Sequence, residues 1–417
     1  MKIGELSKKN KISIDSIRHY MEMGLIIAEK KGGKYHFEET CNQDIKDILY
    51  FKKMGFTLNE IQMIFRYKRL GILSPFQQYE YYRTLFDDKY KEIENKIKKL
   101  EETKEYLESE IQKNKNQRKK RTKLGIPLAS LSMLVCHKCQ GNLNVKNAGI
   151  ENNQILNGSL TCSCGNSYFI EEGILCTVEV YEKIKEKKKN GELITSLDFS
   201  ISDFIQKVDG NLIDQFYKCI VWLNKKINHN ELHLKILLEI GTGVGIFLRH
   251  IYEVIPEDCS YIAVDHDYEQ LYFVKNILET SDQMKNVLLI CSDFLQVPIK
   301  NKSVDYLFDV GGTTNYSFDH EPFLLAEIDH YLKAQSNIFG SYILFENFVD
   351  KSQVHRLKQR DLFTLSEVNT RMESLNYIKM DEVIFDDEIK PEEEYESYFT
   401  NGEKVFFYNY YARREIK

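Results

Sequence analysis

Four of the nine cysteines fall in two tight pairs, Cys136-x-x-Cys139 and Cys162-x-Cys164, with 22 residues between the pairs. Thiolates spaced this way in two turns are the donor pattern of a tetrahedral zinc site, and four protein ligands leave no position open for a substrate, so such a metal is structural. The second pair has one intervening residue rather than two. His137 and Cys176 therefore stand as alternatives for the fourth ligand. A second group of residues begins at Lys235, where KILLEIGTGVGIFLRHI reads as a buried strand, the loop Glu239-x-Gly241-x-Gly243-x-Gly245, and a helix. Glycines there let the backbone turn sharply and approach a ligand at the carboxyl end of a strand. The spacing differs from the dinucleotide fingerprint Gly-x-Gly-x-x-Gly.

Acids follow at the ends of the next strands. Tyr261–Asp265 ends in a carboxylate placed to accept from both hydroxyls of a ribose. Val287–Phe294 ends in Asp293 and Phe294, a carboxylate and ring suited to an adenine's amino group and face. Val304–Gly312 supplies a fourth strand, so that acids and glycines line one crevice. Beyond it stands Asp309-Val310-Gly311-Gly312-Thr313-Thr314-Asn315-Tyr316, which is not the Asn/Asp-Pro-Pro-Tyr motif of amino-group nucleic-acid methylation. His320 and His330 read as ordinary surface or helix histidines.

The elements that position these residues belong to a chain of 417 residues, 42% hydrophobic and 29% charged, with 6 Pro and 21 Gly. That composition excludes disorder and collagen-like structure and allows about three domains. An odd cysteine count does not suit a secreted disulfide framework, and no apolar run reaches the ~18 residues of a membrane span. A cytoplasmic protein without a membrane anchor is expected. The net charge of −6 hides an asymmetry: residues 1–123 hold 28 Lys+Arg against 19 Asp+Glu, a net of +9, leaving 29 against 44, a net of −15. A basic head on an acidic body points to nucleic acid at the front only.

Residues 2–27 have helix-turn-helix spacing, with Ser13 capping the second helix and Ile14, Ile17 and Tyr20 or Met21 facing inward. Ser13, Asp15, Ser16, Arg18, His19 and Tyr20 are the candidates for groove or phosphate contact. Lys30, Lys31, Lys34, Tyr35 and His36 flank Gly32-Gly33 as a basic wing. The order of parts, with IGELSK, SIDSIRHYMEMGLI and DIKDILYFKKMGFTLNEIQMI, resembles the DNA-binding domain of the MerR family of transcriptional regulators. His19 stands where that family usually has Tyr, and His36 where it often has Arg. After Pro75, Phe86, Tyr90, Ile93, Ile97, Leu100, Leu107 and Ile111 keep a heptad seam about 38 Å long. The resemblance implies that this helix forms a homodimer, and a two-fold dimer implies a palindromic double-stranded operator. The run Lys113–Lys123, with Arg118-Lys119-Lys120-Arg121, is read as a linker.

The segments LVCHKCQGNL and LTCSCGNSYFIEEGIL resemble the zinc ribbon of the small partner protein of tRNA and protein methyltransferases. A similar ribbon precedes the catalytic domain of some rRNA guanine methyltransferases. The motifs EIGTGVG, AVD, SDF and VPIKNKSVDYLFD, with the helix and strand in LLAEIDHYLKAQSNIFGSYILFENF, resemble class I methyltransferases that use S-adenosylmethionine. Gln335-Ser336-Asn337 stands where that family usually has a Pro-Gly-Gly-type turn, and DEVIFDDEI and EKVFFYNYYARR would be the sixth and seventh strands. The resemblance implies that Glu239, Gly241, Gly243 and Gly245 hold the methionine end, Asp265 the ribose, and Asp293 and Phe294 the adenine, with Thr242 and His266 as further cofactor-binding residues. Asp309 and Tyr316 are then candidates to face the methyl acceptor.

The expected architecture is a winged helix-turn-helix (1–75), a coiled-coil helix with basic linker (76–123), a zinc ribbon (130–180) and a Rossmann-like, seven-stranded α/β methyltransferase domain (195–417). The expected function is a DNA-binding regulator whose C-terminal half binds S-adenosylmethionine and methylates a small molecule. A sensor without turnover and an RNA methyltransferase guided by the ribbon are the alternatives.

Overall fold

The computed structural model describes residues 1–71, 74–116, 122–192, 210–350, 352, 354–386 and 399–415. It divides into two compact units, Met1–Arg118 and Lys119–Lys417.

In the first unit, α1 (Ile3–Asn10) and α2 (Ile14–Glu22) form the helix-turn-helix. The Ser13 hydroxyl accepts from Ser16 N–H at 3.0 Å, which satisfies an otherwise orphaned donor at the start of α2. Ile17 and Tyr20 point into the core, whereas Ile14 lies exposed in the first turn, beyond the edge of the apolar face. Strands β1 (Glu29–Lys31) and β2 (Lys34–His36) pair around Gly32 and Gly33, whose φ values of 57° and 79° give the two-residue hairpin turn its twist. Next come α3 (Glu39–Lys53) and α4 (Leu58–Leu70), the latter opened by a Thr57–Glu60 capping box. The 42-residue α5 (Pro75–Asn116) starts on proline, whose missing N–H costs nothing at that position. Phe86 packs near Phe51 and Phe56, and the buried Lys89 ammonium is held by Glu60 and Glu92, both at 2.7 Å. From Tyr90 to Ile111 the heptad seam is exposed. The expected linker begins inside this helix, and Arg118–Arg121 lies outside the described residues.

Among the described residues, the second unit is built on one twelve-stranded sheet. Its centre is parallel: β8 (Ile236–Ile240), β9 (Ser260–Asp265), β10 (Val287–Cys291), β11 (Val304–Val310) and β12 (Leu332–Phe345). The order is β13-β14-β12-β11-β8-β9-β10, with β13 (Tyr377–Phe385) and β14 (Val405–Arg414) as the expected sixth and seventh strands, and β14 antiparallel to both neighbours. This is the seven-stranded, Rossmann-like sheet that the motifs imply. Between Leu332 and Asn337 the register on β11 slips, so Gln335 and Ser336 lie in a bulge within β12 and Asn337 pairs with Tyr306, and the segment is not a separate turn.

The ribbon does not stand apart from this sheet. Strand β7 (Ile174–Thr177) pairs in parallel with β10, and β6 (Ser167–Glu171), β5 (Gln154–Cys162) and β3 (Ile126–Pro127) continue beyond it, with β4 (Leu143–Glu151) on β5. All four residues of β7 are buried, as expected for a strand covered on both faces. Helices α6 (Val178–Asn190), α7 (Gly210–Lys226), α8 (Ile246–Ile251) and α9 (Tyr268–Leu278) alternate with or flank the strands. On the far side of the chain's order come α10 (Gly312–Asp319), α11 (Leu324–Glu327) and α12 (Leu365–Ser374).

Gly245 opens α8 at φ 72°, and a Cβ there would lie 2.8 Å from Val274 Cγ2, in the fully buried part of α9. Gly245→Ala should destabilise the second unit by about 2 to 4 kcal/mol, combining left-handed strain with overpacking. Urea unfolding followed by the fluorescence of Trp222, the single tryptophan, checks it.

Candidate functional site

In the first unit the residues expected to contact nucleic acid lie at or near the surface, with one exception. Ser13, Asp15, Arg18, His19, Lys30, Lys31, Lys34, Tyr35 and His36 are exposed, and Ser16 is half-buried. Arg18 Nη1 lies 3.0 Å from Asp15 Oδ1, so the guanidinium is held at the helix surface by its neighbour. Lys30 lies over the Tyr35 ring at 5.8 Å, and Lys31 pairs with Glu29. Tyr20 is the exception. At 4% exposure its ring is part of the core with Ile17 and Leu25, so it supports the helix from behind and is not presented to a groove.

The cysteine turns close into one cluster. Ligand atoms of Cys136, Cys139, Cys162 and Cys164 lie within 4.8 Å of one another, with Cys136–Cys164 at 3.6 Å and Cys139–Cys162 at 3.4 Å. A tetrahedral zinc with bonds of ~2.3 Å needs sulfurs ~3.8 Å apart, so the cluster fits that ion. Backbone N–H groups of Lys138 and Cys139 point at the Cys136 sulfur, that of Gly141 at Cys139, and that of Cys164 at Cys162. These donors favour thiolates. The shortened spacing of the second pair is accommodated by Gly165 at φ 92°. Cys164 is the fourth member: His137 Nδ1 is engaged by Tyr168 Oη at 2.7 Å, and Cys176 is buried in β7 beside Cys291 of β10.

At the carboxyl ends of the central strands lies the crevice. Gly241, Gly243 and Gly245 have φ values of 69°, 54° and 72°. Gly241 and Thr242 N–H groups bond the Val264 carbonyl at 2.9 and 3.1 Å, and Gly243 N–H donates to Asp265 Oδ2 at 2.7 Å. The other Asp265 oxygen accepts from Asp267 N–H at 2.9 Å, and the exposed His266 ring stands 3.3 Å away. Burial pushes the Asp265 carboxyl up, while the Asp267 and Gly243 N–H groups oppose that shift. Asp293 is exposed beside the half-buried Phe294, whose ring tip lies next to Gly241. Glu239 is wholly buried: Tyr261 Oη donates to its Oε2 at 2.9 Å and Thr242 Oγ1 at 3.2 Å. It therefore braces the loop from beneath.

The acceptor candidates are not placed as expected. Asp309 is fully buried at the end of β11, where its Oδ1 accepts from Thr313 N–H at 2.8 Å in the first turn of α10. It caps that helix from below instead of facing the crevice, because the Gly311-Gly312 turn folds back over it. Tyr316 is nearly buried, stacked on His320 with ring centroids 4.0 Å apart and tilted toward Phe294. Gly312 was not singled out in the sequence, yet its backbone packs on the glycine loop: a Cβ added at Gly241 would lie 3.0 Å from Gly312 Cα. The paired glycines directly after the fourth strand were the available signal. Tyr261 was likewise missed as the partner of Glu239.

Residues 1–68 match the MerR HTH family regulatory protein model. That head is a MerR-type helix-turn-helix, and such a domain implies DNA binding. No curated protein matches the chain. Among solved structures, a SAM dependent methyltransferase from Aquifex aeolicus is 16% identical over 52% of this chain and 100% of its own, with a TM-score of 0.36. A Haemonchus contortus phosphoethanolamine N-methyltransferase 2, solved in complex with S-adenosyl-L-methionine, is 14% identical over 44% of this chain and 49% of its own, at a TM-score of 0.33. The strand order and the crevice described above, rather than these likenesses, give the C-terminal unit its methyltransferase-like fold.

Two outcomes are expected. Freshly reduced protein should carry close to one zinc per chain by elemental analysis, and Cys164→Ser should lower that content at least several-fold. Burial pushes Glu239 up to about 8, against the hydrogen bonds of Tyr261 and Thr242. The native state then keeps a proton that the unfolded chain releases above its ordinary value of 4.5, so stability falls as pH rises from 4.5 to about 8. The slope approaches ~1.4 kcal/mol per pH unit for a full proton. Glu239→Gln should flatten this dependence in denaturant unfolding at pH 5, 6.5 and 8.

Proposed function

We propose that the chain is a DNA-binding transcriptional regulator whose C-terminal unit binds S-adenosylmethionine and methylates a small molecule. The observation that carries this reading is the Asp265 carboxylate, buried at the end of β9 and tied to the left-handed glycine loop at the end of β8. On this reading Gly241, Thr242, Gly243 and Gly245 take the methionine end with Glu239 bracing them, Asp265 and His266 the ribose, and Asp293 and Phe294 the adenine. Bound S-adenosylmethionine supplies an electrophilic methyl group on a sulfonium. The chain's part is to orient an acceptor in line with that methyl and to keep water out. Asp309, buried and engaged by Thr313, does not serve as an exposed base, which favours acceptors that need no proton removed before attack.

A small acceptor is favoured over RNA by charge, since the net charge of −15 over residues 124–417 works against a polyanion. In the head, Arg18, His19 and the wing lysines are assigned to DNA, and the exposed seam from Tyr90 to Ile111 to a second copy of the chain. The partner would then be a palindromic operator, the protein a cytoplasmic homodimer, and the zinc structural. Among the described residues no helix is long and apolar enough to cross a membrane.

Incubation with methyl-labelled S-adenosylmethionine and fractionated cell extract should place label in the small-molecule fraction. Label in RNA would replace this reading with the ribbon-guided alternative, and retained cofactor without transfer would make the unit a sensor. Asp265→Ala should weaken cofactor binding at least tenfold by calorimetry, whereas unchanged affinity would remove the ribose role. Arg18→Ala should weaken operator binding by about tenfold in a titration at fixed salt, in line with ~1–3 kcal/mol for a base-reading arginine.

A further inference from the structure

The cysteine turns touch the segment that follows the third strand of the crevice. Leu134 forms an antiparallel bridge with Ile299. Val135 N–H donates to the Pro298 carbonyl at 3.0 Å, and Lys300 N–H to the Met133 carbonyl at 3.1 Å. Gln140, directly after Cys139, reaches the same stretch with its side chain. Its Nε2 donates to the Ile299 carbonyl at 3.4 Å and its Oε1 accepts from Asn301 N–H at 2.9 Å. Gln140 is itself held in the turn by its own N–H on the Cys136 carbonyl at 2.8 Å, at φ 56°. Residues 298–301 continue without a break from the turn Phe294–Gln296, which is capped by Asp293 Oδ1 on Leu295 N–H at 2.8 Å. Leu134, Val297 and Ile299 are buried in one apolar cluster, with Phe294 and Leu295 packed against it.

The outer side of the 293–301 segment is therefore paired to the cysteine turn. We propose that the four-cysteine site positions the adenine subsite, with Gln140 as the positioning residue, so that cofactor affinity depends on the bound metal. The inference rests on the reading of Asp293 and Phe294 as that subsite. With four thiolates drawn onto one ion, the Cys136–Gly141 turn is rigid and its bonds to 298–301 are pre-formed. Without the ion the turn keeps its backbone bonds but loses the cross-link between its two sulfurs and the second pair, so part of the ordering of 293–301 must come from cofactor binding itself, which lowers affinity. Cys139 and Cys164 are exposed, so a chelator can reach the ion without unfolding the unit.

The test uses the full-length protein, zinc-loaded and chelator-stripped, with S-adenosylhomocysteine as the probe. Calorimetry gives its affinity, and amide hydrogen exchange over residues 293–301 gives a readout independent of any ligand. Metal removal should weaken binding at least tenfold and raise exchange over 293–301. Gln140→Ala should keep its zinc and unfolding midpoint yet bind the probe three- to tenfold more weakly. Affinity and exchange indifferent to the metal would overturn the proposal alone, and Gln140→Ala binding as tightly as wild type would overturn the role of that residue. A zinc-loaded wild type that does not bind the probe at all would overturn the cofactor reading and this proposal with it.

Discussion

The bond from Gly243 N–H to the Asp265 carboxylate joins the ends of the first two parallel strands, and much of the C-terminal unit is arranged so that it can form. A carboxylate removed from water must find donors close by or lose its charge. Asp265 finds two, both backbone, and one of them exists only because Gly243 takes a left-handed conformation that a side chain would resist. The register Ile240↔Val264 sets the two ends level. The parallel neighbour on the other side, β11, then brings Gly312 against Gly241, so the first and fourth loops are fitted backbone to backbone. Glu239 completes the arrangement from below. Tyr261 and Thr242 offset only part of its desolvation, and Thr242 is thereby fixed between two glycines that have no side chains to fix.

Local features of this design were legible in the sequence because they depend on near neighbours. Ser13 caps α2, the Gly32-Gly33 turn makes the wing, and the acids end their strands, as residue type and spacing imply. Burial decided by distant partners was not legible. Tyr20 is read from the sequence both as an inward residue and as a groove contact, and the packing of the head's core decides for the first. Asp309 sits at the end of a buried strand like Asp265, and nothing in its local sequence says that the next two glycines fold over it. Its unpaired Oδ2 and the raised proton affinity that burial imposes are consequences of tertiary structure alone.

Ile174–Thr177 reads as a short apolar strand, but its parallel partner lies more than a hundred residues further on, at Val287–Cys291. Such a pairing has no short-range signature, and a hairpin-rich ribbon is easily read as a separate module. The physical reason for the join is the edge of the parallel sheet. Without β7, β10 would end the sheet with a buried-type strand whose backbone groups on one side have no partners. The ribbon supplies a parallel strand and then antiparallel ones, so the sheet's edge is moved onto β3 and onto β4, most of whose residues are exposed.

The same burial that removes Asp309 from the crevice narrows the chemistry of the proposed site. Asp309 is fully buried with Oδ1 committed to Thr313 and has no open path to a ligand's proton, and Tyr316, its hydroxyl pushed up by burial, is neutral at pH 7 and cannot take one. Neither of the two acceptor candidates is then free to deprotonate an alcohol or an amide. An acceptor atom with an available lone pair at neutral pH needs no such help, because displacement at a sulfonium depends on alignment and on a dry approach. On the proposed reading the glycine loop, fitted backbone to backbone to the fourth-strand turn, supplies the alignment.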